Sequence, residues 1–180
     1  VRVPKPYGFF HGVLLMELVL GEDGLPAPDL GDISHSPDQA RKFHRFLMSE
    51  IAAMLYADLI HGDLSEYNVL VGANGPVIID LPQVVSASSN NNARPMLLRD
   101  VRNITNGLGR YAPELLDTHY GEEMWSKFEL GELRPDSELD GLYVEDAASA
   151  DVEGTLLDIE DARDEAVRRQ MGPDAADLAE

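Results

Sequence analysis

Hydrophobic and polar positions alternate in blocks along the chain, and the blocks predict a small set of elements. Two apolar runs, Tyr7 to Phe10 and Val13 to Leu20, flank His11-Gly12 and predict a hairpin. Gly21 to His35 is rich in Gly, Pro and Asp and predicts a connecting loop. Ser36-Pro37-Asp38-Gln39 then supplies a cap, a proline at the first helical position and a glutamine three residues after the cap. Phe43, Leu47, Ile51, Met54 and Leu55 follow at helical spacing, so a core helix is expected through to about Leu59. Val69-Leu70-Val71 and Val77-Ile78-Ile79 flank Gly72-Ala73-Asn74-Gly75, the signature of a second hairpin. Leu97, Leu98, Val101, Ile104 and Leu108 predict a second core helix, and Tyr120, Met124, Trp125, Phe128 and Leu130 a third. Pro113-Glu114-Leu115-Leu116, between them, reads as a first helical turn.

Beyond Pro135 large apolar residues become scarce. A solvated acidic tail is expected there, with at most a short helix over Leu156 to Gln170 that starts acidic and ends in Arg168-Arg169, as the helix dipole favours. Charge sharpens this division: of a net −19, residues 129–180 carry −13, with 17 acidic and 4 basic side chains. Such a balance disfavours nonspecific attraction to nucleic acid or to an anionic membrane. The chain has no cysteine, so disulfides and thiolate metal sites are excluded. No 18-residue apolar run and no signal peptide occurs, and a cytoplasmic protein is expected.

The chemistry concentrates in His61-Gly62-Asp63-Leu64-Ser65-Glu66-Tyr67-Asn68 and in Asp80, at the entrance and the exit of the second hairpin. An aspartate, an amide and a second aspartate on one rigid scaffold is the set that phosphoryl transfer needs. One carboxylate orients a hydroxyl, while an amide oxygen and the other carboxylate hold a hard cation against phosphates. His-x-Asp, four residues, Asn, then a strand-end Asp is the spacing of a kinase catalytic loop and its metal aspartate. Asp and Asn also serve as ordinary caps and turn formers, so the letters alone leave that role open. His61 is expected to support the loop by a hydrogen bond rather than to act chemically.

Gly62 stands where most protein kinases carry Arg, Ser65 where many carry Lys, and Asp80-Leu81-Pro82 where they carry Asp-Phe-Gly. The block HGDLSEYNVLV with IIDLPQ resembles the RIO family of atypical serine/threonine protein kinases. VPKPYGFFHGVLLMELV, GLPAPDL and RDVRNITNGLGRYAPELLDTHYGEEMWSKFELGEL extend the resemblance over roughly residues 1 to 143. It implies an α+β fold, the carboxy-terminal lobe of a protein kinase, mainly helical with short antiparallel hairpins. Residues 1–20 would be the last hairpin of the amino-terminal lobe with the hinge, 21–143 the lobe with catalytic loop and metal site, and 144–180 the tail.

Asp63 is then the catalytic acceptor, Asn68 and Asp80 bind Mg2+, and Met16 to Val19 line the adenine site through backbone groups of Glu17 and Val19. In the same family Asp80 would be the aspartate discussed as transiently phosphorylated in ATP hydrolysis. ATP and Mg2+ are the implied cofactors and a protein the implied substrate, with a ribosome-associated partner left open. Gly62 removes the arginine that receives an activating phosphate in ordinary kinases. Activity is therefore expected not to depend on phosphorylation of Ser86, Ser88 or Ser89. Ala112-Pro113-Glu114 matches the end of an activation segment in letters, and coincidence is the preferred reading because RIO kinases lack that segment.

No glycine-rich phosphate loop occurs, and Lys5, Lys42 and Lys127 all lack the context of a phosphate-contacting strand lysine. The chain is accordingly expected to be a catalytic-loop half with apolar surface that further strands would cover. Two other readings share part of the pattern. Small-molecule kinases of the aminoglycoside or choline type also carry HGDxxxxN, but follow the strand-end Asp with aromatic and acidic residues rather than Leu-Pro-Gln. A noncatalytic kinase-derived binding module would have no need to keep Asp63, Asn68 and Asp80 together.

Overall fold

The computed structural model describes residues 1–143. The acidic tail expected over 144–180, with its helix, lies outside them, whereas residues 136–143, expected to be solvated, pack back on the body: Leu139 lies against the core and Gly141 N–H donates to Glu123 at 2.9 Å. Twelve short elements build an α+β unit. Strand β1 (Pro6–Phe10) pairs antiparallel with β2 (Val13–Met16) around the His11-Gly12 turn, where both residues take positive φ. The apolar run continues to Leu20, but the strand stops at Met16, and Glu17 to Val19 form a connection. Both faces of this hairpin are exposed, with Phe9 at 69% and Val13 at 66%, so the exposed apolar surface expected from sequence is present. Two strands alone make a marginal sheet.

Helix α1 (Pro37–Tyr56) begins as its cap dictates: Ser36 accepts from the Gln39 backbone N–H at 3.2 Å. It ends a turn earlier than periodicity suggests. Asp58 takes the left-handed conformation at φ 64, and the chain turns into β3 (Leu59–Ile60). Strands β4 (Val69–Gly72) and β5 (Gly75–Ile78) form the second hairpin, in register from Val69 opposite Ile78 to Gly72 opposite Gly75. After a 3-10 turn at Leu81–Gln83, β6 (Val85–Ser86) returns to pair antiparallel with β3.

Helix α2 (Ala93–Gly109) and helix α3 (Tyr120–Glu129) complete the body, and the expected helical turn at Pro113 is a 3-10 turn, Pro113–Asp117. Leu47 and Leu55 from α1, Leu97, Ile104 and Leu108 from α2, and Met124 from α3 are fully buried in one core. Leu64, Val69 and Ile78 belong to the same core. The residue beside Asp63 and both inner ends of the β4–β5 hairpin are therefore anchored in close-packed side chains, which hold position tightly. Among the described residues no helix is long and apolar enough to cross a membrane.

Candidate functional site

Asp63 lies on the segment between β3 and β4, and helix α2 determines the path of that segment. The buried carboxylate of Asp100 accepts from the backbone N–H of Gly62 at 2.8 Å and of Leu64 at 2.9 Å. Arg99 donates to the Gly62 carbonyl at 2.6 Å, and Asn103 to the Leu64 carbonyl at 3.0 Å. Four backbone groups on either side of Asp63 are thus held by side chains one helical turn apart on α2. This satisfies groups that would be costly to bury unpaired. Asp63 itself accepts at its carbonyl from the Asn68 side-chain N–H at 2.8 Å. Its carboxylate Oδ2 accepts from the Gln83 amide at 3.3 Å.

The bond to the Asp63 carbonyl fixes the orientation of the Asn68 amide, because a carbonyl only accepts. Asn68 Nδ2 faces Asp63, and Oδ1 is left without a partner among the described residues. Asp80 is tied to the same loop through its neighbour. Ile79 N–H donates to the Asn68 carbonyl at 3.0 Å, and the His61 ring donates through Nε2 to the Ile79 carbonyl at 2.9 Å. His61 is buried and serves as a brace between the loop and the residue before Asp80. Asp80 is exposed and left-handed at φ 63. Although it stands at the cap position of the Leu81–Gln83 turn, its carboxylate makes no capping bond. Aspartate tolerates this conformation in turns, and here its carboxylate is left without a capping partner.

An amide oxygen and a carboxylate are hard oxygen donors and fit Mg2+, which commonly takes one or two protein oxygens together with phosphate and water. No three His, Asp or Glu side chains among the described residues form a metal cage by themselves. Mg2+ held here would therefore complete its shell with phosphate oxygens or water.

The structure brings Asp63 and Asn68 into direct contact and links Asp80 to them through Ile79. Met16, Glu17 and Val19, expected to line the adenine site, share no hydrogen bond with this cluster among the described residues. Glu17 N–H donates to the Lys5 carbonyl at 2.8 Å, and the Val19 carbonyl accepts from Ala27 at 2.9 Å. A cleft of about 610 Å3 reaches Glu17, Val19 and the tip of the β4–β5 hairpin, but includes neither Met16 nor any of Asp63, Asn68 and Asp80. Met16 is on β2, opposite Pro6, and half-exposed.

Sequence reasoning missed Arg99, Asp100 and Asn103. Their signal was present: Asp100 sits three residues after Leu97 and four before Ile104, a charge on the apolar stripe of α2. Burial raises its carboxyl to about 6, against the opposing pull of the Gly62 and Leu64 N–H groups, His61 and Arg99. It also missed Asp58, whose carboxylate accepts from the Ser86 hydroxyl at 2.6 Å and from the Ser88 N–H and hydroxyl at 2.7 and 3.0 Å. These bonds hold the Asp58 carboxyl below its usual range.

A family profile for the RIO domain matches residues 1–120. The RIO-type serine/threonine-protein kinase Rio1 of Methanocaldococcus jannaschii is 40% identical over 108 residues, which are 59% of this chain and 36% of that protein. Its counterpart from Haloferax volcanii is 40% identical over 107 residues, 59% of this chain and 35% of that protein. The chain therefore spans little more than a third of the length of these relatives. A solved Rio2 kinase–ADP/Mg2+–phosphoaspartate complex from Chaetomium thermophilum is 30% identical, with a TM-score of 0.47, over 61% of this chain and 33% of that one.

Proposed function

The chain belongs to the RIO domain family, and from that premise we propose that it is the catalytic-loop half of an ATP- and Mg2+-dependent protein serine/threonine kinase. The observation that carries this reading is the division of labour around Asp63. Side chains of α2 hold the backbone on both sides of it, and its own carboxylate is left facing outward, bonded by Gln83.

In the reaction a serine or threonine hydroxyl oxygen forms a bond to the γ-phosphorus of ATP. The bond from that phosphorus to the bridging oxygen breaks, and ADP leaves. Asp63 orients the hydroxyl and takes its proton, a role that requires geometry before basicity. Asn68 Oδ1 and the Asp80 carboxylate would hold Mg2+, which supplies charge neutralisation at the phosphates when bound. Since the Glu17 N–H and the Val19 carbonyl are already engaged, adenine would meet the Glu17 carbonyl and the Val19 N–H.

Incubating the full-length protein with γ-labelled ATP and Mg2+, with a protein mixture and with a panel of small alcohols, tests this reading. Label is expected in acid-stable phosphoserine or phosphothreonine. An acid-stable label confined to a small alcohol would contradict the protein-kinase reading, and a hydroxylamine-labile label on Asp80 would instead assign ATP hydrolysis through an aspartyl phosphate.

A further inference from the structure

The segment after Asp80 packs directly on the loop that carries Asp63, and glycine at position 62 permits it. Gly62 has φ +83, and a Cβ there would stand 3.0 Å from the Gln83 carbonyl and 2.7 Å from Met96 Cε. A side chain at this position would be strained and would push the Leu81–Gln83 turn away. The approach places the Gln83 amide on Asp63 Oδ2, 20 residues away in sequence.

A second contact holds the far end of the segment. Asp58, at the exit of α1, clasps Ser86 and Ser88 with its carboxylate, its carbonyl accepts from Ala87 N–H at 3.0 Å, and β3 pairs with β6. Gln83 is thus suspended between a close backbone contact at Gly62 and a hydrogen-bonded clasp at Asp58.

We propose that Gln83 is a positioning residue whose amide holds one oxygen of Asp63, leaving the other to meet the acceptor hydroxyl. The inference rests on Asp63 being the proton acceptor. A carboxylate on a single χ2 rotor presents either oxygen, and a fixed donor on Oδ2 removes that freedom before substrate arrives. The donor is neutral. In a loop where Ser65 replaces the lysine of many protein kinases, Gln83 therefore supplies orientation without adding positive charge at the phosphates. Asp58 acts one step further back, by holding the segment that carries Gln83.

The test compares turnover of γ-labelled ATP by the full-length protein and its variants. Gln83→Ala should lower kcat about tenfold, the worth of one hydrogen bond to a charged group, with KM for ATP unchanged. Gln83 is exposed, so the core is not touched. Gln83→Glu keeps the length of the side chain but replaces the donor with an acceptor, so it should lose at least as much kcat as Gln83→Ala, again with KM for ATP unchanged. Asp58→Ala should also lower kcat, and Asp58→Ala with Gln83→Ala should be no slower than Gln83→Ala alone, because both act through one contact. A Gln83→Ala or Gln83→Glu enzyme with parental kcat, or additive losses in the double variant, would overturn the proposal. Retained turnover in Asp63→Asn would instead remove the reading beneath it.

Discussion

Asp100→Ala is expected to destabilise the folded chain by about 3 to 5 kcal/mol and to abolish Mg2+-dependent nucleotide binding. The carboxylate is 1% exposed and accepts from both N–H groups that bracket Asp63. Removing it leaves the Gly62 and Leu64 donors buried without partners, which costs more than the bonds themselves contributed. Asp100→Asn should fall between parent and alanine variant, since an amide offers one oxygen and turns its NH2 toward the second donor. Urea unfolding with a parallel nucleotide titration measures both effects. An alanine variant with parental stability and affinity would show that the loop does not need α2.

The same residue predicts a pH signature. Folded Asp100 keeps its proton up to about 6, against 3.8 in the unfolded chain, so its contribution to stability grows as pH falls through that window and declines as pH rises through it. His44 does the opposite. It is buried between α1 and α2 against Thr105 at 2.9 Å, and burial pushes it down to about 4 from 6.5. The unfolded chain takes up that proton first, and stability is lost as pH falls from 6.5 to 4. The two contributions offset one another in the parent. In Asp100→Ala that offset is gone, and the loss of stability between pH 7 and pH 4 should exceed the parent's by about 2 kcal/mol. Unfolding curves of equal pH dependence in parent and variant would contradict this.

Asp63→Asn is the second large effect. The amide is isosteric, so the Gly62 and Leu64 bonds to Asp100 and the Asn68 bond to the Asp63 carbonyl all persist. What is lost is the capacity to take a proton, together with one of the two acceptor oxygens that Gln83 and the hydroxyl share. The rate of the chemical step in the full-length protein should fall by about 10²- to 10⁴-fold with stability and nucleotide affinity near parental values. Single-turnover transfer from γ-labelled ATP, set beside a thermal melt, separates the two quantities. Parental turnover would remove Asp63 from the chemistry.

Much of this arrangement was legible in the sequence because it rests on local rules. Ser36-Pro37-x-Gln39 named the start of α1, and the Gly72 to Gly75 turn set the register of the second hairpin. The three core helices followed from period 3.6. What stayed hidden is non-local. The β3–β6 pair is two residues long on each strand, too short for periodicity, and joins Leu59 to Ser86 across 27 positions. Asp100 is a charged residue on an apolar stripe, a local conflict that makes sense only once the Gly62 and Leu64 donors are in view. Gln83 entered only as the last letter of IIDLPQ, because its bond to Asp63 exists only after Gly62 admits the turn. The end of β2 at Met16 was hidden too, since the apolar run continues unbroken into the connection beyond it.

The direct measurement of the central claim is calorimetric titration of this chain with ATP, with and without Mg2+, in parent and Asp80→Ala forms. Asp80 is exposed and makes no capping bond, so its removal should cost the fold no more than about 1 kcal/mol for alanine in the left-handed region. Binding that requires Mg2+ in the parent and disappears in Asp80→Ala is the expected result. Binding of equal strength in both forms would show that the loop and the strand-end aspartate do not form a metal-nucleotide site.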